Sequence, residues 1–560
     1  MAARDFKLAD HPAIPRGIPL MLIVLDGWGE QPDGEYNAIS KASTPIMDSL
    51  KKGHPDYWRL VKAHGPAVGL PLESDMGNSE VGHNAMGAGR IYKQGAGLVD
   101  SALADGSMFT GGWKQIQETI EKGCTLHLLG LLSDGGVHAR LDQVWGLLGG
   151  AIERGAKKVR LHILTDGRDV ADGSSFEYVE KLEKYIEELN SKGADVKIAS
   201  GGGRMRVTMD RYETDWEVVE RGWHAHVLGE APNKYTTAAE ALKDLRAKDP
   251  KVNDQYYPPW VVVDDAGKSV GTIEDGDAVV IWNFRADRVV MISKAFDFED
   301  KDFPFFDRVR RPKVTLAGML EYDVEIHLPS IHLVDPPQIE GTSGEYLAKN
   351  HVRSYACSET VKFGHMTFFW NGNRSGYFDA KYEKYVEIPT DKGIQFNEKP
   401  PMKAAEIAEA AAAAFKSGEW DFVRVNFPNA DMVGHTGDME ATVVGCEAAD
   451  KGVEVLLKAV EDAGGIYLVT ADHGNAEEMV KHDKDGKPVL TKDGTPQKLT
   501  AHTCAPVPVA IGGPGLPKNI KLRKDLPGAG LANVAATFIN LCGLEAPSDM
   551  EPTLLEVVEQ

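Results

Sequence analysis

Along most of the chain, short runs of β-branched and aliphatic residues alternate with longer stretches in which apolar side chains recur every three or four positions. The run IPLMLIVL at 18–25 has the length of a strand, whereas EYVEKLEKYIEELNSKG at 177–193 carries the helical period. AAEIAEAAAAAFKSG at 404–418 predicts one helix, because alanine has the highest helix propensity and the glycine supplies a stop. KHDKDGKPVLTKDGTPQKLT at 481–500, with two Asp-Gly turns, predicts a peripheral hairpin. The alternation as a whole predicts an α/β fold, two α/β domains with mostly parallel sheets, and no short tandem repeat or low-complexity tract breaks it.

The residues just after each apolar run are more informative. LMLIV leads into Asp26 and Gly27, FVRVNF into PNADMVGH, and IYLVT into ADHGN; TLHLLGLL leads into SDGGVH, VRLHIL into TDGRD, VKIAS into GGGRMR, and AVVIW into NFRADR. In open α/β sheets ligands bind beyond the carboxyl ends of the strands. The ends near the two termini carry aspartate and histidine, and those in the middle carry mainly arginine. This division predicts a discontinuous domain, 1–93 and 336–560, interrupted by an inserted one, 94–335, the two facing each other across a cleft. The second boundary is placed at the proline-rich LVDPPQIEG, and a chain of 560 residues exceeds a single ordinary core.

Charge narrows the partners. Acidic residues outnumber basic ones by 84 to 62, a formal net charge of −22, which argues against nucleic acid and anionic membranes as partners. An anionic substrate would have to meet a local basic cluster. The N-terminal MAARDFKLADHPAIPRG has charges where a signal peptide needs its apolar region, and no apolar run approaches the roughly 20 residues of a membrane span. Five widely spaced cysteines without C-x-x-C predict a reduced, cytoplasmic compartment.

Two groups of residues carry candidate chemistry. Asp431 and His435 stand four apart, Asp472 and His473 are adjacent, His502 lies in TAHT, and Asp26 ends the first strand. Carboxylate with imidazole suits zinc, manganese and similar ions and argues against calcium, and six such groups could hold two metals. The four-residue spacing also fits a helix cap beside a solvated histidine, but an aspartate directly after an apolar strand is costly to bury without a partner. Ser79, in DMGNSEVGHNAMGAGR at 75–90, lacks the glycine offsets of a hydrolase elbow. It reads either as part of a polar turn before a helix or as a nucleophile whose hydroxyl an adjacent cation acidifies. Asn78 could donate to a phosphoryl oxygen, and Glu80 and His83 read as a turn or helix-start pair.

The second group is basic. Arg168 with Asp169, then Arg204, Arg206 and Arg211, then Arg285 and Arg288, all come after strands or lie in glycine-rich loops. Guanidinium groups bind phosphate and carboxylate in bidentate fashion, so a ring of them suits a small substrate bearing both. His138 and Asp169 are candidate proton carriers, and Lys362 is either a phosphate ligand or a snorkelling flank of the apolar run behind it.

Together DGWG at 26–29, DMGNSEVGHNAMGAGR, LLSDGGVH, TDGRD, NFRADR, SETVKFGHMTFFWNG, NADMVGHTG, TADHGNAE and TAHT resemble the cofactor-independent (2,3-bisphosphoglycerate-independent) phosphoglycerate mutases of the alkaline phosphatase superfamily. The likeness runs in order over nearly the whole chain, and GGGRMRVTMDRY is most similar to the plant and trypanosomatid branch. It implies an alkaline-phosphatase-like metal domain with an inserted substrate-binding domain, and interconversion of 3-phosphoglycerate and 2-phosphoglycerate, in glycolysis and gluconeogenesis, through a phosphoserine. By the same resemblance Ser79 is the nucleophile; Asp431, His435 and His502 hold one metal, and Asp26, Ser79, Asp472 and His473 the other. His138, Arg168, Asp169, Arg204, Arg211, Arg285 and Arg288 hold the substrate, with Asp169 as acid/base and Lys362 near the transferring phosphoryl group. Manganese is implied, with cobalt or magnesium as alternatives, and no bisphosphoglycerate; a monomer is expected. One departure is that Arg204 and Arg211 stand one residue further apart than in the bacterial pattern, with Arg206 as an extra candidate. The rival enzymes are a metal-dependent phosphatase or phosphopentomutase of the same superfamily, which share the metal set, so that the arginines discriminate. A non-catalytic metal- or metabolite-binding protein is the rival from another class.

Overall fold

The computed structural model describes residues 4–210, 215–323, 326–337, 339–391, 394–483, 485–490 and 494–558. The chain divides into two compact units, one made of Met1–Gln94 with Pro337–Gln560 and the other of Gly95–Pro336. Arg211 lies outside the described residues.

The first unit is organised on Leu20–Leu25, whose six side chains are all buried. Such an uninterrupted apolar strand is stable only where both faces of a sheet are covered. It lies between Phe422–Phe427 and Ile466–Thr470, parallel to both, with Leu20 opposite Phe422 on one side and Ile466 on the other. Ser354–Glu359 and then Glu383–Ile388 continue the sheet in parallel beyond Phe422–Phe427. Val507–Gly512 and Trp58–Val61 complete the seven-stranded sheet with antiparallel pairings at the other edge. The alanine-rich segment forms the helix Ala404–Lys416, which buries Ala404, Ile407, Ala408, Ala411, Ala412 and Phe415 as one stripe.

The second unit is built on an eight-stranded sheet. Its central strands, in spatial order Ala278–Ile281, Leu126–Leu132, Lys158–Thr165 and Asp195–Gly203, are mutually parallel. Only the pairing of Asp195–Gly203 with Trp260–Val262 is antiparallel among those described. The helix Ser174–Ser191 covers this sheet with Val179, Leu182, Ile186 and Leu189, the periodic apolar positions of its sequence. In both units the adjacent parallel strands therefore end on one edge. The residues after those ends are neighbours in space although they are far apart in the chain. Among the described residues no helix is long and apolar enough to cross a membrane.

The 481–500 segment is tied by bridges between Val480 and Lys498, His482 and Pro488, and Leu490 and Pro496. Its second Asp-Gly turn lies partly outside the described residues. The reading of this segment as peripheral needs correcting at its C-terminal end, where the Thr500 carbonyl accepts a bond from His435 Nδ1 at 2.7 Å.

Candidate active site

In the first unit, Lys362, Asp431, Asp26 and Asp472 come after four strands that are consecutive in the sheet, and they meet at its carboxyl edge. Two glycines permit the approach. A Cβ at Gly27, whose φ is +76°, would lie 2.7 Å from the Asp431 backbone, and a Cβ at Gly82 would lie 2.6 Å from the Asp472 carbonyl oxygen. Ser79 is the first residue of the helix Ser79–Ala88, at its positive end; the Asn78 side chain caps that helix by accepting from Val81 N. The Asn78 carbonyl oxygen is thus committed to the cap, which leaves its amide group as the donor for a ligand.

Ser79 Oγ accepts from Lys362 Nζ at 2.5 Å and lies 3.2 Å from Asp26 Oδ1 and 3.0 Å from His473 Nε2. Lys362 Nζ is also 2.8 Å from both Asp26 Oδ1 and Asp431 Oδ2. Burial opposes a charged lysine here, but Asp26 and then Asp431 outweigh it and hold the ammonium far above its ordinary range. Burial likewise opposes a charged Asp26, and Lys362 outweighs it, keeping that carboxylate ionised.

Two triads of ligating atoms form around this hydroxyl. Asp431, His435 and His502 converge within 4.8 Å of one another, as do Asp26, Asp472 and His473. The chemistry of each donor fits a cation. His435 Nδ1 gives its proton to the Thr500 carbonyl and His502 Nδ1 to that of Gly77, so in the neutral rings both Nε2 atoms carry lone pairs. Those two atoms face each other at 3.0 Å, each 3.1 Å from Asp431 Oδ1. Lone pairs and a carboxylate oxygen held this close repel unless a positive ion lies among them. Burial, then the neighbouring His473, pushes His502 down to about 3, which keeps its ring neutral. In the other triad Asp472 Oδ2 is buried without a hydrogen-bond partner among the described residues. A fully buried carboxylate oxygen of that kind is costly, and ligation would satisfy it.

The protons on this triad yield an expected pH dependence. Burial, then the charge of Asp26, pushes Asp472 up to about 7, while burial of His473 is outweighed by Asp472 and Asp431, which raise it to about 9. Ligation needs the carboxylate and the bare imidazole, so an ion must expel these protons. Between pH values of about 7 and 9, where only His473 is protonated, affinity should rise about tenfold per pH unit, and more steeply below that window. Calorimetry of manganese binding in buffers of different ionisation heat counts the protons released. An affinity flat across this range would refute the ligand set.

Residues the sequence reading passed over hold the triads in place. Asn426 donates to Asp26 Oδ2 at 2.7 Å and lies 3.2 Å from His83 Nε2. His83 is buried, pushed down to about 4 chiefly by that burial, and its Nδ1 proton goes to the Ser79 carbonyl at 2.7 Å. His83 lies in the second turn of the helix Ser79–Ala88 rather than in a turn or at the helix start, and its Nδ1 stands 3.4 Å from Asp472 Oδ2. Asn475 donates to Asp431 Oδ1 at 2.9 Å. Glu477 joins three ligand-bearing loops: its carboxylate accepts from Gly29 N at 3.0 Å, from Asn475 N at 2.8 Å and from the Thr503 hydroxyl. Glu477→Gln would set an amide NH2 against one of these donors. It should lower manganese affinity by about 10- to 100-fold, measured by chelator competition; undiminished affinity would show that the loops hold without it.

In the second unit, Arg204 is buried and forms the hub. It donates to Asp166 Oδ1 at 2.8 Å, Asp169 Oδ2 at 2.6 Å and His138 Nε2 at 2.8 Å. His138 therefore accepts at Nε2 and carries its proton on Nδ1, which lies 3.5 Å from Asp287 Oδ1; burial and then Arg204 keep the ring neutral. Arg285 Nε is 3.3 Å from the same Asp287 oxygen, and Arg288 donates to the Met209 carbonyl at 2.7 Å. Arg168 is half-buried beside Asp169, and Arg206 is exposed. Asp166, not singled out from the sequence, is central. It accepts from Ser133 Oγ at 2.5 Å and from the backbone N–H groups of Arg168 and Asp169, at 3.0 and 3.2 Å. Burial opposes its charge, but Arg204 outweighs that and keeps it ionised.

An α/β fold whose strand ends gather two carboxylate–imidazole triads around a serine at a helix N-terminus defines a metal-dependent enzyme, and the family described as the Metalloenzyme superfamily matches residues 18–546. The 2,3-bisphosphoglycerate-independent phosphoglycerate mutase of Mesembryanthemum crystallinum is 64% identical, over 99% of this chain and 99% of its own. The protein of that name from Trypanosoma brucei brucei is 54% identical, over 98% and 99%. The crystal structure of Leishmania mexicana phosphoglycerate mutase at low cobalt concentration superposes with a TM-score of 0.82 at 53% identity, covering 98% of this chain and all of that one (100%). The chain belongs to the 2,3-bisphosphoglycerate-independent phosphoglycerate mutases.

Proposed function

We propose that this protein interconverts 3-phosphoglycerate and 2-phosphoglycerate, without bisphosphoglycerate, by passing the phosphoryl group through Ser79. The observation that carries the reading is the Ser79 hydroxyl, placed at a helix N-terminus within hydrogen-bond reach of Lys362, Asp26 and His473. Two divalent ions, manganese in our reading with cobalt or magnesium as alternatives, would be held by Asp431, His435 and His502 and by Asp26, Ser79, Asp472 and His473, and would supply positive charge for serine ionisation and for the phosphoryl oxygens.

The residues of the chain perform the rest. Ser79 Oγ, already ionised and returned as the alkoxide at the end of the cycle, forms a bond to phosphorus as the bond to one glycerate oxygen breaks, and that oxygen leaves as a hydroxyl by taking the one mobile proton from Asp169. Lys362 Nζ, donating to Oγ at 2.5 Å, offsets charge on the serine oxygen before and after transfer. Arg204 holds Asp169 and His138 in position, while Arg168, Arg285, Arg288 and Arg211 bind the carboxylate and phosphate of the glycerate. Asp169, now a carboxylate, then removes the proton of the other hydroxyl, whose oxygen attacks phosphorus and regenerates Ser79. Transfer chemistry thus belongs to the first unit and glycerate recognition to the second. Residues of a simple phosphatase would not include this second set, which favours the mutase over a phosphatase of the same metal chemistry. We place the enzyme in the cytoplasm as a monomer.

The test is a coupled assay for isomerisation of 3-phosphoglycerate without added bisphosphoglycerate, on chelated and then manganese-replenished protein. The product should be 2-phosphoglycerate, dependent on the metal. Release of free phosphate instead would establish the phosphatase reading.

A further inference from the structure

The second unit buries three histidines that the chemistry above does not use. Asp277 Oδ2 lies 3.2 Å from His127 Nε2, and His127 Nδ1 lies 2.9 Å from His162 Nε2. His162 Nδ1 is 2.6 Å from Ser200 Oγ, which is 2.7 Å from His226 Nδ1, and His226 Nε2 is 2.8 Å from Thr208 Oγ1. All three rings are fully buried, as are Ser200 and Thr208 to within 1%. Their burial keeps the imidazoles below their ordinary range and hence neutral, His226 at about 3.

Neutral rings leave one arrangement of protons. The Asp277 carboxylate can only accept, so His127 donates from Nε2 and accepts at Nδ1. His162 must then donate from Nε2 and accept at Nδ1 from the Ser200 hydroxyl. Ser200 accepts from His226 Nδ1, and His226 Nε2 accepts from Thr208. Every bond points the same way, and no donor or acceptor in the series is left over, which is the condition under which a buried polar network specifies one conformation.

The chain ends at a strained position of the backbone. Thr208 has φ +71°, in the left-handed region that a β-branched residue rarely enters. A Cβ at Gly222 would lie 2.0 Å from Thr208 Oγ1, so the helix Trp216–Trp223 is notched to receive this side chain. Thr208 N–H donates to the Val218 carbonyl at 2.8 Å, and the next carbonyl, that of Met209, receives the guanidinium of Arg288 at 2.7 Å. An unfavourable backbone geometry persists only where its surroundings over-determine it, and such geometry concentrates at functional sites.

We propose that the chain Asp277–His127–His162–Ser200–His226 pins Thr208 in this conformation and thereby positions Arg288 for binding the substrate anion. These are positioning residues, and the role rests on the mutase reading. Thr208→Val keeps the volume and the branch but removes the hydroxyl, leaving His226 Nε2 without its donor. In the full-length manganese-loaded protein, KM for 3-phosphoglycerate should rise about tenfold or more while kcat stays within about threefold, and Thr208→Ser should restore KM. The nitrogen-15 spectrum of the histidine side chains should show the His226 Nε2 resonance move in the valine variant and return in the serine one. Ser200→Ala, which breaks the chain at its middle, should raise KM in the same direction, so the proposal stays testable if Thr208→Val does not fold. The wild-type assay decides the mutase reading before any variant is compared. Given an active wild type, an unchanged KM in the valine and alanine variants, or a serine variant as impaired as the valine one, would overturn the positioning role.

Discussion

Ser79→Ala is expected to lower mutase turnover by at least about 10⁴-fold, because no other hydroxyl replaces the one that accepts the phosphoryl group. The fold and one of the two ion sites should survive the change. Asn78 still caps the helix, and the triad of Asp431, His435 and His502 does not include the serine, so it should keep its ion. Acid quenching of the wild type with phosphorus-labelled 3-phosphoglycerate should leave label on the peptide containing Ser79, and the variant should leave none. Retained turnover, or label on another residue, would remove Ser79 from the reaction.

Lys362→Met should separate catalysis from metal binding in opposite directions. The ammonium sits 2.8 Å from Asp26 Oδ1 and from Asp431 Oδ2, one carboxylate from each triad, so it competes with any cation for both. Without it, turnover should fall about 10²- to 10³-fold, the usual cost of losing one donor aimed at developing charge. Manganese affinity should increase. The chelated variant should be less stable than the chelated wild type by about 3–5 kcal/mol, since buried carboxylates are left uncompensated, and manganese should return most of that difference. Parallel melting curves and chelator titrations measure both effects. A variant that binds manganese more weakly would show that Lys362 supports the site rather than competing within it.

How far the site was legible depends on the local effect of each residue. Asp26 and Asp472 stand out because a carboxylate at the end of a buried strand conflicts with its neighbours' hydrophobicity, and a conflict of that kind marks function, whereas Asp431 stands out only by its spacing from His435. The helix 404–416 and the strand 20–25 stand out because their apolar periods are complete. The grouping of ligands into triads was different: nothing in the spacing of Asp26 and Asp472 says that they meet, and the resemblance alone suggested it. Asn426, Asn475 and Glu477 escaped notice for a physical reason: each acts on a partner tens to hundreds of residues away, and a neutral amide within a strand, or an amide or glutamate in the loop beyond one, has no local feature that separates a buried orienting group from a solvated one. Asp166 carries the same strand-end signal as Asp26, but its role shows only in its bond to Arg204, 38 residues on. Thr208 was hidden for the same reason, since its backbone angle is imposed by tertiary contacts rather than by its own preference.

The central strand Leu20–Leu25 finds both of its neighbours only near residues 422–427 and 466–470. During synthesis the ribosome must therefore deliver most of the polypeptide before that strand can be sandwiched, while the Gly95–Pro336 unit can already close on itself. A highly apolar ribbon waits meanwhile with two open edges, so refolding from denaturant should be slow and prone to aggregation at this segment, and holdase chaperones should bind nascent chains through it.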